Sequence, residues 1–207
     1  MSDYITAPRD IETRSFEIIA GELGPRAFRG EAEAKIVKRI IHTTADFDFA
    51  DLTRISDGAI EAGMAAIREG AHVVTDTRMA AAGINRARLS RHGGEIRCFM
   101  ADGDVAAEAE AEGITRAMVS MRKAARDAAN RVFAIGNAPT ALFALGELIA
   151  RGDLAPALVI GVPVGFVGAA ESKAALEKLA VPHIVTRGRK GGSAIAACIV
   201  NAILYMM

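Results

Sequence analysis

The chain has 207 residues, 51% hydrophobic and 24% charged, which suits one globular domain with a sizeable core and excludes disorder. Its 25 Lys and Arg balance its 25 Asp and Glu, so no global field draws in nucleic acid or an anionic membrane, and positive potential must be local.

The opening M-S-D-Y-I-T-A-P-R-D has no basic segment leading into an apolar one, and the longest apolar stretch, Ala194 to Met207, is short and broken by Asn201. A cytoplasmic protein is expected. Ile11, Phe16, Ile18 and Ile19, then Ile36, Val37, Ile40 and Ile41, recur at helical spacing around a Gly24-Pro25 break, which predicts two opening helices. Beyond them β-like runs (H-V-V-T-D, E-I-R-C-F-M, R-V-F-A-I-G, A-L-V-I-G-V, H-I-V-T-R) alternate with helices near 57–69, 104–128, 138–150, 169–179 and 192–205. Such alternation predicts a single three-layer α/β/α domain with a mainly parallel sheet of about five strands. No linker, repeat or low-complexity tract divides it. The final helix is apolar on nearly every side from Ile195 to Met206, which calls either for a subunit interface or for a central place in its own subunit.

Three glycine-rich turns stand between strands and helices: G-N-A-P-T-A-L-F (Gly136 to Phe143), G-V-P-V-G-F-V-G-A-A-E-S-K (Gly161 to Lys173) and R-G-R-K-G-G-S-A (Arg187 to Ala194). All three fall at the carboxyl ends of strands, where open α/β sheets bind ligands. Glycine admits close backbone approach and helix N-termini favour anions, so the expected ligand carries carboxylate or phosphate groups.

Known fingerprints do not fit these turns. The lysine of R-G-R-K-G-G-S is on the wrong side of the glycines for a P-loop, and G-V-P-V-G-F-V-G is not G-x-G-x-x-G. No G-x-S-x-G elbow is present, and no His, Cys, Asp and Glu set has metal-ligand spacing. Cys98 and Cys198 lie in apolar runs without C-x-x-C spacing and read as inert thiols. His72, His92 and His183 sit where structural or solvated imidazoles are the default. His42 differs, because it ends the helix E-A-E-A-K-I-V-K-R-I-I-H and precedes Thr43, Thr44 and Asp46. A helix C-terminus and a nearby carboxylate both favour imidazolium, which makes His42 the candidate general acid. Arginines at element ends (Arg14, Arg39, Arg78, Arg86, Arg116, Arg187, Arg189) supply guanidinium forks for a polyanionic ligand, although solvation is the default for any one of them.

Together, R-S-F (Arg14 to Phe16), R-I-I-H (Arg39 to His42) and the three glycine-rich strings resemble the precorrin-8X methylmutase family over nearly the whole chain. The resemblance implies a flavodoxin-like fold, a homodimer with active sites near the subunit interface, and no cofactor. It implies migration of a methyl group from C-11 to C-12 of precorrin-8X or cobalt-precorrin-8, giving a corrin acid of the cobalamin pathway, whose neighbouring enzymes are further partners. His42 takes the place of the family's proton donor or acceptor. Ser15 and Arg39 take substrate-contacting places with Arg14 beside them, Arg116 that of a carboxylate clamp, and Thr43, Asp76, Thr77 and Asn85 line the pocket wall. The wordings H-T-T-A-D-F-D-F-A-D, T-D-T-R-M-A-A-A-G-I-N and G-G-E-I-R-C-F-M-A-D are similar to the branch acting on the cobalt-containing intermediate, and the metal-free branch is its rival. A noncatalytic tetrapyrrole-binding or handoff protein would share the polyanion pocket and have no need of His42.

Overall fold

The computed structural model describes residues 5–207, so the first four residues of the opening M-S-D-Y-I-T-A-P-R-D lie outside it. Helix α1 (Pro8–Leu23) opens with proline in its first turn, where the missing N–H costs nothing, and stops at Gly24 with φ 61°. Helix α2 (Glu31–Thr44) begins with Glu31 and Glu33 against its positive end and buries Ile36, Val37, Ile40 and Ile41. It ends at Ala45, the one described non-glycine residue with positive φ (54°), whose N–H donates to the Ile41 carbonyl. The chain continues through α3 (Phe49–Leu52), β1 (Thr53–Ile55), α4 (Ala59–Arg68), β2 (His72–Thr75), α5 (Arg78–Gly83), α6 (Arg86–Ser90) and β3 (Ile96–Arg97). There follow α7 (Gly103–Glu112), α8 (Arg116–Ala124), β4 (Asn130–Ile135), α9 (Pro139–Ala150), β5 (Leu158–Gly161), α10 (Ala169–Leu176), β6 (His183–Thr186) and α11 (Ser193–Tyr205).

The strands form one sheet of order β1-β6-β5-β4-β2-β3, parallel throughout except for β1, which pairs antiparallel with β6. Six strands replace the expected five or so. The additional one, β1, is three residues at an edge, too short to print an alternating pattern. Conversely, E-I-R-C-F-M yields only the two-residue edge strand β3, registered Val73 to Ile96 and Val74 to Arg97. The single helix expected over 104–128 is two helices, broken at Gly113 (φ 66°) and restarted by Thr115, whose hydroxyl caps the Met118 N–H.

Alternate strand residues serve opposite layers. Val73, Val132, Ile160 and Ile184 pack with α1, α2, α4 and α11, whereas Val74, Phe133, Val159 and Val185 pack with α8, α9 and α10. Helix α11 is the centre of the first layer, with Ile195 to Val200 and Ala202 to Leu204 buried, so its apolar circumference is satisfied inside its own subunit. Its polar Asn201 is fully used: Nδ2 donates to the Gly83 carbonyl and Oδ1 accepts the Asn85 N–H, pinning the α5–α6 junction. Strand β2 is flanked by β3 on one side and β4 on the other, so the chain's winding reverses there, and the crevice of such a sheet opens above that point.

Candidate functional site

Within that crevice, the first glycine-rich turn already holds an anion, supplied by the protein. The Asp76 carboxylate, at the end of β2 and fully buried, accepts the N–H groups of Gly136 (2.9 Å), Asn137 (2.8 Å) and Ala138 (2.6 Å). Burial raises the Asp76 pKa, and the three N–H bonds pull it back only in part. The other two turns are tied to one another by Gly192 N–H to the Val162 carbonyl and Gly165 N–H to the Arg189 carbonyl. A Cβ on Gly191 would lie 2.1 Å from the Val162 oxygen, and one on Gly136 would lie 2.6 Å from Ser193 Cα. The close approach that these glycines permit is therefore turn against turn. This corrects the expectation that the first turn's amides are free to receive the ligand, and it places Asp76 as a buried partner of that turn.

Thr77 and Asn85 also turn out to be helix caps. The Thr77 hydroxyl accepts the Ala80 N–H and lies 2.8 Å from the Ser193 hydroxyl, joining the start of α5 to the start of α11. Asn85 accepts the Arg88 N–H at the start of α6. Beyond β5, the buried Lys173 ammonium donates to the Lys190 carbonyl, as does the Thr186 hydroxyl, which fixes the third turn from beneath. Burial lowers the Lys173 pKa to about 8. Lys190 Nζ reaches out to Asp46 (2.5 Å) and Asp48 (2.7 Å), which follow the end of α2.

That end carries His42. Its imidazole is exposed on the last turn of α2 and stacks on the Phe16 ring, with centroids 5.0 Å apart and planes at 20°. The Arg39 guanidinium, one turn earlier, lies 4.7 Å from the same Phe16 centroid and is paired with Glu12 at 2.7 Å. Ser15 is half-buried beside Phe16, and Arg14 is exposed and paired with Glu17. Thr43 donates to the Arg39 carbonyl and stands beside Cys198, whose thiol burial pushes up to about 11. Cavities of 260 and 560 Å3 flank the Phe16 ring, the first lined by Lys38, Arg39, Ala202 and Tyr205 and the second by Glu12, Thr13 and Arg39. The surface thus joins an apolar floor to cations and one imidazole, a set that can seat a flat anionic molecule and exchange a proton with it.

Ser15, Arg39, His42 and Thr43 are thereby brought together by α1 and α2. Arg116 is not: it is exposed at the start of α8, in the helical layer on the opposite face of the sheet. Phe16, whose ring touches both His42 and Arg39, closes the R-S-F string in the sequence but is not among the expected site residues. Among the described residues no group of three His, Cys, Asp or Glu side chains is placed to hold a metal ion, and no helix is long and apolar enough to cross a membrane.

The model of the precorrin-8X methylmutase family matches residues 10–206. A relative from Priestia megaterium named cobalt-precorrin-8 methylmutase is 50% identical, covering 95% of this chain and 87% of its own. One of the same name from Salmonella typhimurium is 46% identical, covering 98% and 97%. A crystal structure of precorrin-8X methyl mutase from Thermus thermophilus superposes with a TM-score of 0.88 at 44% identity, covering 96% and 95%. With these likenesses over nearly its whole length, the chain belongs to the precorrin-8X methylmutase family.

Proposed function

We propose that this isomerase moves a methyl group from C-11 to C-12 of its precorrin-8 substrate, giving a corrin acid for cobalamin biosynthesis, with His42 as proton donor and acceptor. The observation that carries this reading is an exposed imidazole clamped by ring stacking next to the Arg39 guanidinium. A macrocycle fringed with acetates and propionates needs cations at its rim and an apolar floor under its plane, and Lys38, Arg39, Tyr205 and Ala202 supply both. Because the shift is intramolecular, the protein has only to hold the ring in a reactive shape and manage one proton. Protonating a ring nitrogen would draw electrons from the conjugated path and ease departure of the methyl group.

The names of the Priestia megaterium and Salmonella typhimurium relatives support the cobalt-loaded form as substrate, the metal arriving as part of it, whereas the Thermus thermophilus structure bears the precorrin-8X name. A cytoplasmic homodimer, receiving substrate from neighbouring pathway enzymes, fits the same reading. Exposed Ile11 and Ile18 on α1 and Met79 on α5 offer apolar surface for a second copy to cover. Ser15, Arg14 and Thr43 then bind substrate around His42.

The test is to mix the protein with the metal-free and the cobalt-loaded precursor and follow the visible spectrum. Wild type is expected to convert the cobalt form faster, and His42→Ala to retain product binding while losing about 10²–10⁴ in rate. An alanine variant that turns over at the wild-type rate removes His42 from the mechanism, and wild type inert toward both precursors favours a carrier.

A further inference from the structure

We propose that Phe16 is a positioning residue, which sets the plane of the His42 imidazole and the orientation of the Arg39 guanidinium together; this rests on the reading of His42 as the proton-handling group. Glu12 and Phe16 are four residues apart on α1, and Arg39 and His42 three apart on α2, so each pair lies on one helix face. The two faces meet as a grip. Glu12 takes the arginine's charge at 2.7 Å, and the Phe16 ring takes both planar groups, the imidazole at 5.0 Å and 20° and the guanidinium at 4.7 Å. An exposed histidine at a helix end is otherwise free to rotate about two side-chain bonds, and a stacked aromatic neighbour removes most of that freedom. Phe16 is itself anchored, since the ring is half-buried and packs on the core beneath α1 and α2.

Core packing alone would be satisfied by any apolar side chain of similar size, whereas orientation of two flat groups requires a ring. The pair Phe16→Leu and Phe16→Tyr separates the two. In substrate-free protein, proton–carbon NMR reads the His42 ring C–H signals, assigned by their loss in His42→Ala. Ring-current shifts are expected in wild type and Phe16→Tyr, with a move to unstacked positions in Phe16→Leu. With the cobalt-loaded precursor, Phe16→Leu is expected to lose roughly 10- to 100-fold in kcat with a smaller change in KM, and Phe16→Tyr to recover most of it. Should Phe16→Leu fail to fold, Phe16→Met serves in its place. His42 signals that stay put in the folded aliphatic variant, or wild-type kcat in that variant while His42→Ala is inactive, would overturn the proposal. Wild-type turnover by His42→Ala instead overturns the proton-handling reading and the catalytic half of this one, and that arm alone reports it.

Discussion

Lys190 Nζ lies 2.5 Å from Asp46 Oδ2, so the third glycine-rich turn is tied by charge to the residue that follows the end of the helix carrying His42. The same ammonium reaches Asp48, and it holds the Asp46 carboxyl below the usual carboxylate range. Exposed ion pairs contribute little to stability, but this one joins two loops of the site. Lys190→Ala is therefore expected to leave the melting temperature nearly unchanged and to lower turnover roughly three- to tenfold, as side-by-side melts and rate assays would show.

Asp76 offers the opposite balance, large in stability and indirect in chemistry. Asn in its place keeps one carbonyl oxygen but turns an NH2 toward amides that also donate, leaving either the buried Gly136 N–H or the Asn137 and Ala138 pair without an acceptor. Asp76→Asn should lose roughly 2 to 4 kcal/mol in urea unfolding. An unchanged midpoint would mean that the turn does not need its internal anion.

Ala45 ends α2 in the left-handed region, where a Cβ is disfavoured by about 1–2 kcal/mol. Glycine removes that penalty while adding freedom to the unfolded chain, so Ala45→Gly is expected to stabilise by about 0.5–1 kcal/mol. Its catalytic effect reads how much the α2 terminus must be held still: a more stable but slower enzyme is the expected result.

Lys173 supplies the pH dependence. Its folded pKa of about 8 lies below the ordinary lysine value of 10.5, so between these limits the unfolded chain binds more protons than the folded one. Stability attributable to this residue is unfavourable below pH 8 and improves as pH rises toward 10.5, by about 3 kcal/mol in all. Subtracting the unfolding free energy of Lys173→Met from that of wild type across this range isolates the slope. A difference that stays flat with pH would show that the ammonium is not desolvated.

Much of this was legible in the residues. The spacing of Ile36, Val37, Ile40 and Ile41 marked the buried face of α2, and uninterrupted apolar runs marked β4, β5 and β6, because strands covered on both sides have no polar alternation to display. The edge strand β1 escaped, since it is held by three register pairs and not by an internal pattern, and the run that marked β3 overstated a strand held by only two. The break at Gly113-Ile114-Thr115 was readable as a C-cap followed by an N-cap, but the Ala-rich helical run on either side outweighed it. At the site, the helix-end position of His42 was visible locally. Its partner was not, because Phe16 and His42 meet between two helices and no short-range spacing encodes that contact. Asp76, Thr77 and Asn85 make scaffold hydrogen bonds, to the first turn and at the starts of α5 and α6, that their place in the sequence did not announce.

The central place of α11 bears on how the protein acquires its shape. Residues 31–44 of α2 rest against residues 193–205, so the helix bearing His42 is translated early and waits for a seat made some 150 residues later. Closing so long a stretch of chain is entropically costly and slow, which puts completion of this layer near the end of folding, after the parallel strands have paired. A nascent chain in which residues 188–207 have yet to be added would expose the underside of α2, an apolar surface of the kind that holdase chaperones cover.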